Sequence, residues 1–177
     1  MRITTGKLRH RIIKMTNLET TRETQDKVRM AIFNMLGQYF DGGVCLDLFA
    51  GSGAMGIEAY SRGMSLVYLN DLNKDALKIC KENCISLGIL DYFKLYNLDY
   101  KEFTSKIDQK FDLIILDPPY KMDNINEIIE SIYPLTKNGT NVIFEMSTNS
   151  IYPESFNDLK LIKVKKYGIK NVGLYRR

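Results

Sequence analysis

Two stretches carry residue types whose order suits chemistry. The first, "LDLFAGSGAMG" at 46–56, contains Gly51-x-Gly53-x-x-Gly56, the spacing of a dinucleotide-binding loop between a strand and a helix. Glycines there permit a close ligand approach or a turn with φ above zero. Asp71 follows Gly51 by 20 residues, where a carboxylate would accept hydrogen bonds from ribose hydroxyls. The second stretch, "LDPPY" at 116–120, ends an apolar run with an acid, two prolines and an aromatic ring. Proline cannot donate to a sheet ladder, so a buried strand must stop there. The proline after Asp117 pushes that residue into extended geometry, which aims its carboxylate.

The glycine spacing alone does not separate NAD from S-adenosylmethionine. Asp47 bears on the choice, because it sits just before the loop. A carboxylate there would repel a pyrophosphate and favour a ligand with an ammonium and a sulfonium. Its alternative role is to cap local backbone amides. Asp99 follows the third strand of the series, at the carboxyl edge where ligands lie in such sheets. Its alternative role is the N-cap of the next helix.

These residues need a frame, and the periodicity supplies one. Residues 24–40 read as a helix with Thr24 as N-cap. Strands are expected at 44–49, 66–70, 92–97, 111–116 and 140–146, with helices at 53–62, 73–88, 99–107 and 124–135 between them. Such alternation implies a parallel sheet covered on both faces. Residues 1–15 suggest a short hairpin turning near Gly6-Lys7. "LKLIKVKKYGIKNVGLYRR" at the end suggests an antiparallel hairpin around Gly168 at the sheet edge.

The chain has 177 residues, 45% hydrophobic and 26% charged, which suits a single folded domain. No apolar run approaches membrane-span length, and no secretory leader is evident, so a cytoplasmic protein is expected. Cys45, Cys80 and Cys84 are read as buried thiols, not as a disulfide or a metal site. Charge is uneven. Residues 1–29 carry +5, residues 160–177 carry +7, and the middle carries −8. Basic ends of this kind attract a polyanion, although solubilising termini would look the same.

Several segments together resemble one family. "LDLFAGSG" is similar to motif I of class I S-adenosylmethionine-dependent methyltransferases. "LDPPY" resembles the Asp/Asn-Pro-Pro-Tyr/Phe motif of enzymes that methylate exocyclic amines of nucleobases. "RITTGKLRHR", "TRETQDKVRMAIFNML", "FAGSGAMGIEAYSRG" and "YGIKNVGLYRR" extend the resemblance to the RsmD family over nearly the whole chain. Those enzymes are bacterial 16S ribosomal RNA guanine-N2 methyltransferases. Glu23 departs from the family's usual proline, and Asn70-Asp71 replaces a Glu-rich strand end, so Asp71 is the ribose acid by register.

The resemblance implies a Rossmann-like fold over one domain, 1–177. It would have a seven-stranded mostly parallel sheet, an antiparallel C-terminal hairpin strand and a small basic N-terminal extension over 1–23. It implies S-adenosylmethionine held by Asp47, Phe49, Ala50, Gly51, Gly53, Asp71 and Asp99. A flipped guanine would meet Asp117 and the Pro118 carbonyl as acceptors for its amine, with Pro119 fixing the turn and Tyr120 stacking on the base. Lys7, Arg9, Arg11, Arg22, Arg29, Lys165 and Lys166 would contact phosphates of 16S rRNA or the small subunit. The enzyme would be a monomer without a metal. The rivals are an NAD oxidoreductase, a DNA adenine-N6 methyltransferase and a non-catalytic RNA-binding assembly factor.

Overall fold

The computed structural model describes residues 1–16, 26–119, 122, 124–168 and 170–177. The apolar runs form one eight-stranded sheet. Its first five strands are β1 (Val44–Asp47), β2 (Leu66–Asn70), β3 (Phe93–Tyr96), β4 (Phe111–Leu116) and β5 (Thr136–Ser147). The rest are β6 (Ser155–Phe156), β7 (Leu159–Tyr167) and β8 (Lys170–Arg176). The order is β3-β2-β1-β4-β5-β8-β7-β6, with β1 to β5 parallel and the last three antiparallel. The expected seven strands are corrected to eight. The addition, β6, has two residues, too few for any alternation to show.

Helices α1 (Asp26–Leu36), α2 (Ala54–Ser61), α3 (Lys74–Ser86), α4 (Tyr100–Lys106) and α5 (Ile125–Ile132) cover the sheet. Two hydrophobic clusters form, one holding α1 to α3 residues and the other α4 and α5 residues. In α5 the four isoleucines at 125, 128, 129 and 132 share one face, and all are buried. Helix α1 stops at Leu36, before the expected residue 40, because Gly37 takes φ +107 and Tyr39 turns to solvent. Thr24, its expected cap, lies outside the described residues, as does Glu23. Strand order reverses between β1 and β4, and ligands of open α/β sheets bind at such a reversal.

The first sixteen residues are packed into this body. Ile3 and Ile13 are fully or almost fully buried in the first cluster, and an antiparallel bridge joins Arg2 to Ile12. Glu58 on α2, itself fully buried, accepts from Thr4 N (2.9 Å), Thr4 Oγ1 (2.6 Å) and Thr5 N (3.1 Å). It also pairs with Arg29 Nε at 3.3 Å and Arg62 Nε at 2.8 Å. Arg29 is therefore not an RNA contact. Its side chain is 0% exposed and is spent on Glu58, Asp26 and the Arg2 carbonyl. The basic character that marked it instead neutralises a buried acid.

Candidate functional site

Each acid singled out in the sequence stands at the carboxyl end of a parallel strand or just beyond it. A cavity of about 430 Å³ opens there, lined from the glycine loop through Asp71 and Asp99 to Asp117 and Pro118. That volume lies within the range of small-molecule sites. The loop closes it from one side. Gly51 and Gly53 adopt φ +55 and +81, conformations that side chains disfavour. At Gly56 a Cβ would collide with Leu69 and lie 3.0 Å from Val67 Cγ1, so this glycine lets α2 press onto β2.

The acids hold the loop. Asp71 Oδ2 accepts from Gly51 N at 2.8 Å, and its Oδ1 accepts from Asn73 N at 2.8 Å. Asp47 Oδ2 accepts from Gly56 N at 2.9 Å. Ala50 N and Gly53 N donate to the Asn70 and Ala50 carbonyls. These loop amides are thus turned to protein acceptors, unlike the inward cradle that a pyrophosphate needs. Asp99 caps α4 through Lys101 N and also lines the cavity. Asp47 likewise combines an amide cap with a place on the cavity wall.

Beyond β4 the second motif meets a charged partner. Lys170 Nζ lies 3.3 and 3.5 Å from the Asp117 oxygens and is bonded to Glu145 on β5. Burial and the Glu145 charge push the Asp117 carboxyl well above its usual range, while Lys170 pulls it back. Among the described residues, no cluster of three or more His, Cys, Asp or Glu is arranged to hold a metal.

The comparisons with known proteins agree with one another. The family model described as Conserved hypothetical protein 95 matches residues 1–176. The chain is 30% identical to the ribosomal RNA small subunit methyltransferase D of Haemophilus influenzae, over 99% of this chain and 93% of that one. The chain belongs to the RsmD family. A Bacillus subtilis relative, named as the rRNA methyltransferase YlbH, is 35% identical over 100% of this chain and 99% of its own. The solved structure of a conserved hypothetical protein from Streptococcus pyogenes is 38% identical with a TM-score of 0.81. It covers 84% of this chain and 94% of that one.

Within this RsmD family member, Asp47, Phe49, Ala50, Gly51, Asp71, Asp99, Asp117, Pro118 and Pro119 line one cavity. Gly53 stands behind it, where a Cβ would press on Cys80 Sγ at 3.1 Å. Tyr120 and Arg22 lie outside the described residues. Lys7, Arg9, Arg11, Lys165 and Lys166 are exposed, with Lys7 Nζ 3.4 Å above the Tyr60 ring. Sequence reasoning missed Asn70, whose buried amide ties the Leu48 and Leu98 carbonyls together beneath the cavity. It also missed Glu145 and Lys170. A lone acid inside the apolar strand "NVIFEM" was the available signal for the former.

Burial pushes the Asp47 carboxyl from 3.8 up to about 7, against the Gly56 N–H that pulls it down. Between those values the folded chain holds a proton that the unfolded chain has released, so stability falls as pH rises across that window. Asp47→Asn keeps an acceptor for Gly56 N–H and removes the charge. It should flatten the pH dependence of Tm between about pH 4 and 7 and add up to roughly 4 kcal/mol at pH 8. Parallel Tm–pH curves for the two proteins would show that Asp47 carries no such penalty.

Proposed function

We propose that this chain transfers a methyl group from S-adenosylmethionine to the N2 amine of a flipped-out guanine in 16S ribosomal RNA. The observation that carries it is the single cavity joining an acid-held glycine loop to Asp117 and Pro118. Carboxylates from Asp71 and Asp99 on its wall, joined by Asp47 once a cation offsets its burial, suit a cationic ligand with ribose hydroxyls and would disfavour a pyrophosphate. That favours S-adenosylmethionine over NAD. The guanine and the ribosomal RNA rest on the family and on the names of its relatives.

S-adenosylmethionine, when bound, supplies an electrophilic methyl whose carbon–sulfur bond breaks as the new carbon–nitrogen bond forms. The chain's own residues do the rest. Asp117 and the Pro118 carbonyl accept the two amine hydrogens and aim the nitrogen lone pair at the methyl. Asp117 offsets the positive charge that grows on nitrogen, and its raised proton affinity equips it to take the departing proton. The prolines remove competing donors, and Tyr120 stacks on the base. Positioning in a partly dry cleft supplies much of the remaining acceleration.

Exposed basic residues would hold the RNA backbone. Arg9→Glu with Arg11→Glu should weaken RNA binding at least tenfold and shallow its salt dependence, with S-adenosylmethionine affinity unchanged by calorimetry. Undiminished RNA affinity would remove this surface from the interface. Substitution is the right test because deleting the segment would also strip Ile3 and Ile13 from the core.

The reaction itself is tested with labelled S-adenosylmethionine and small ribosomal subunits lacking the modification, followed by nucleoside identification. Label in N2-methylguanosine is the expected result. Label in another nucleoside would keep the methyltransferase and overturn the guanine.

A further inference from the structure

The reaction edge holds a cation and a second acid that the methyl-transfer scheme leaves without a task. The sheet register explains how they meet. Glu145 pairs with Val172 and Ser147 pairs with Lys170, so Glu145 and Lys170 are diagonal neighbours across β5 and β8. Leu116 pairs with Phe144, and the next residue on each strand is Asp117 and Glu145, which Lys170 Nζ bridges. Depth then separates the three groups. The Glu145 side chain is 2% exposed, that of Lys170 14% and that of Asp117 24%. Asp117 and Lys170 both line the main cavity, and Glu145 lies behind them in a smaller adjoining recess. A buried acid thus braces an ammonium next to the carboxylate that is to receive the amine.

This arrangement has the polarity of one base edge. Guanine presents O6 as an acceptor, then N1–H and the N2 amine as donors. Adenine presents an amine at C6 and a bare N1 acceptor. A lysine ammonium can only donate, and an ionised carboxylate can only accept. Resting on the guanine reading above, we propose that Lys170 is a specificity-determining residue that donates to O6 while Asp117 accepts from N1–H and N2–H. Glu145 is its positioning residue. A base with an amine at C6 would turn N–H groups toward the ammonium, leaving buried donors facing one another, and such mismatches are strongly rejected.

The test compares RNA carrying guanine at the target with RNA carrying 2,6-diaminopurine there. The analogue keeps the N2 amine and replaces O6 with an amine. The wild-type enzyme should prefer guanine strongly in kcat/KM. Lys170→Gln should shrink that preference by about 10–100-fold, because a glutamine amide can turn its carbonyl toward the C6 amine. Lys170→Arg should retain the wild-type preference. The ratio is measured on one preparation, so a partly unfolded variant does not distort it. The change at N1 is common to both enzymes and cancels in the comparison.

A uniform loss on both bases, complete loss of turnover included, would overturn the proposal and leave Lys170 as a brace for Asp117. Failure of the underlying reading is separable from that outcome. It shows in the wild-type enzyme, as methylation of some other nucleoside or of none, and takes this proposal with it.

Discussion

Asp117→Ala is expected to lower methyl transfer by roughly 10²–10³-fold while S-adenosylmethionine still binds. The carboxylate lines the cavity beside Pro118, whereas the glycine loop is held by Asp47 and Asp71. In the proposed reaction, losing Asp117 would remove an acceptor for the amine and a counter-charge to the nitrogen as it becomes cationic. Acid should do reversibly what the substitution does permanently. Because burial and Glu145 raise the Asp117 carboxyl above 3.8, activity should fall at a pH above the ordinary carboxylate range. Single-turnover rates across pH, with cofactor binding followed in parallel, check both statements. Equal turnover by Asp117→Ala would refute its assigned role.

Glu58→Ala is expected to cost about 3–5 kcal/mol of stability, with no direct effect on chemistry. Removing Glu58 leaves Arg29 and Arg62, whose side chains are 0% and 1% exposed, without their shared carboxylate. It also leaves the Thr4 and Thr5 backbone amides without their acceptor. Domains of this kind are held by only about 5–15 kcal/mol, so the variant should be marginal at 37 °C. Urea titration of purified protein measures the loss. A change below about 1 kcal/mol would mean that water replaces the carboxylate and that the centre is not dry.

The parallel strands and their helices could be read from sequence because buried strands show as short apolar runs and α5 repeats its isoleucines at helical spacing. The glycine loop and "LDPPY" stood out because backbone constraints there demand particular residue types. The buried ion cluster was not readable. Arg29 and Glu58 are 29 positions apart, and composition cannot tell a solvated arginine from one that neutralises a core acid. Lys170 was hidden for a related reason. It sits in a basic stretch that invites a phosphate reading, and only the β5–β8 register brings it to Asp117 and Glu145. Asp47 and Asp99 show the converse, since each side chain both caps a backbone amide and lines the cavity, and a sequence cannot separate those two placements.

The docking of the first residues onto α2 bears on how the chain folds as it is made. Thr4 and Thr5 find their acceptor 54 and 53 positions later, so this contact closes a long loop. During translation Ile3 and Ile13 emerge before the α2 and α3 residues that share their buried cluster, and Glu58 and Asn83, which anchor the segment, also follow later. Residues 1–14 are therefore made before the residues that hold them, and they can lock only once α2 and α3 have formed a surface to receive them.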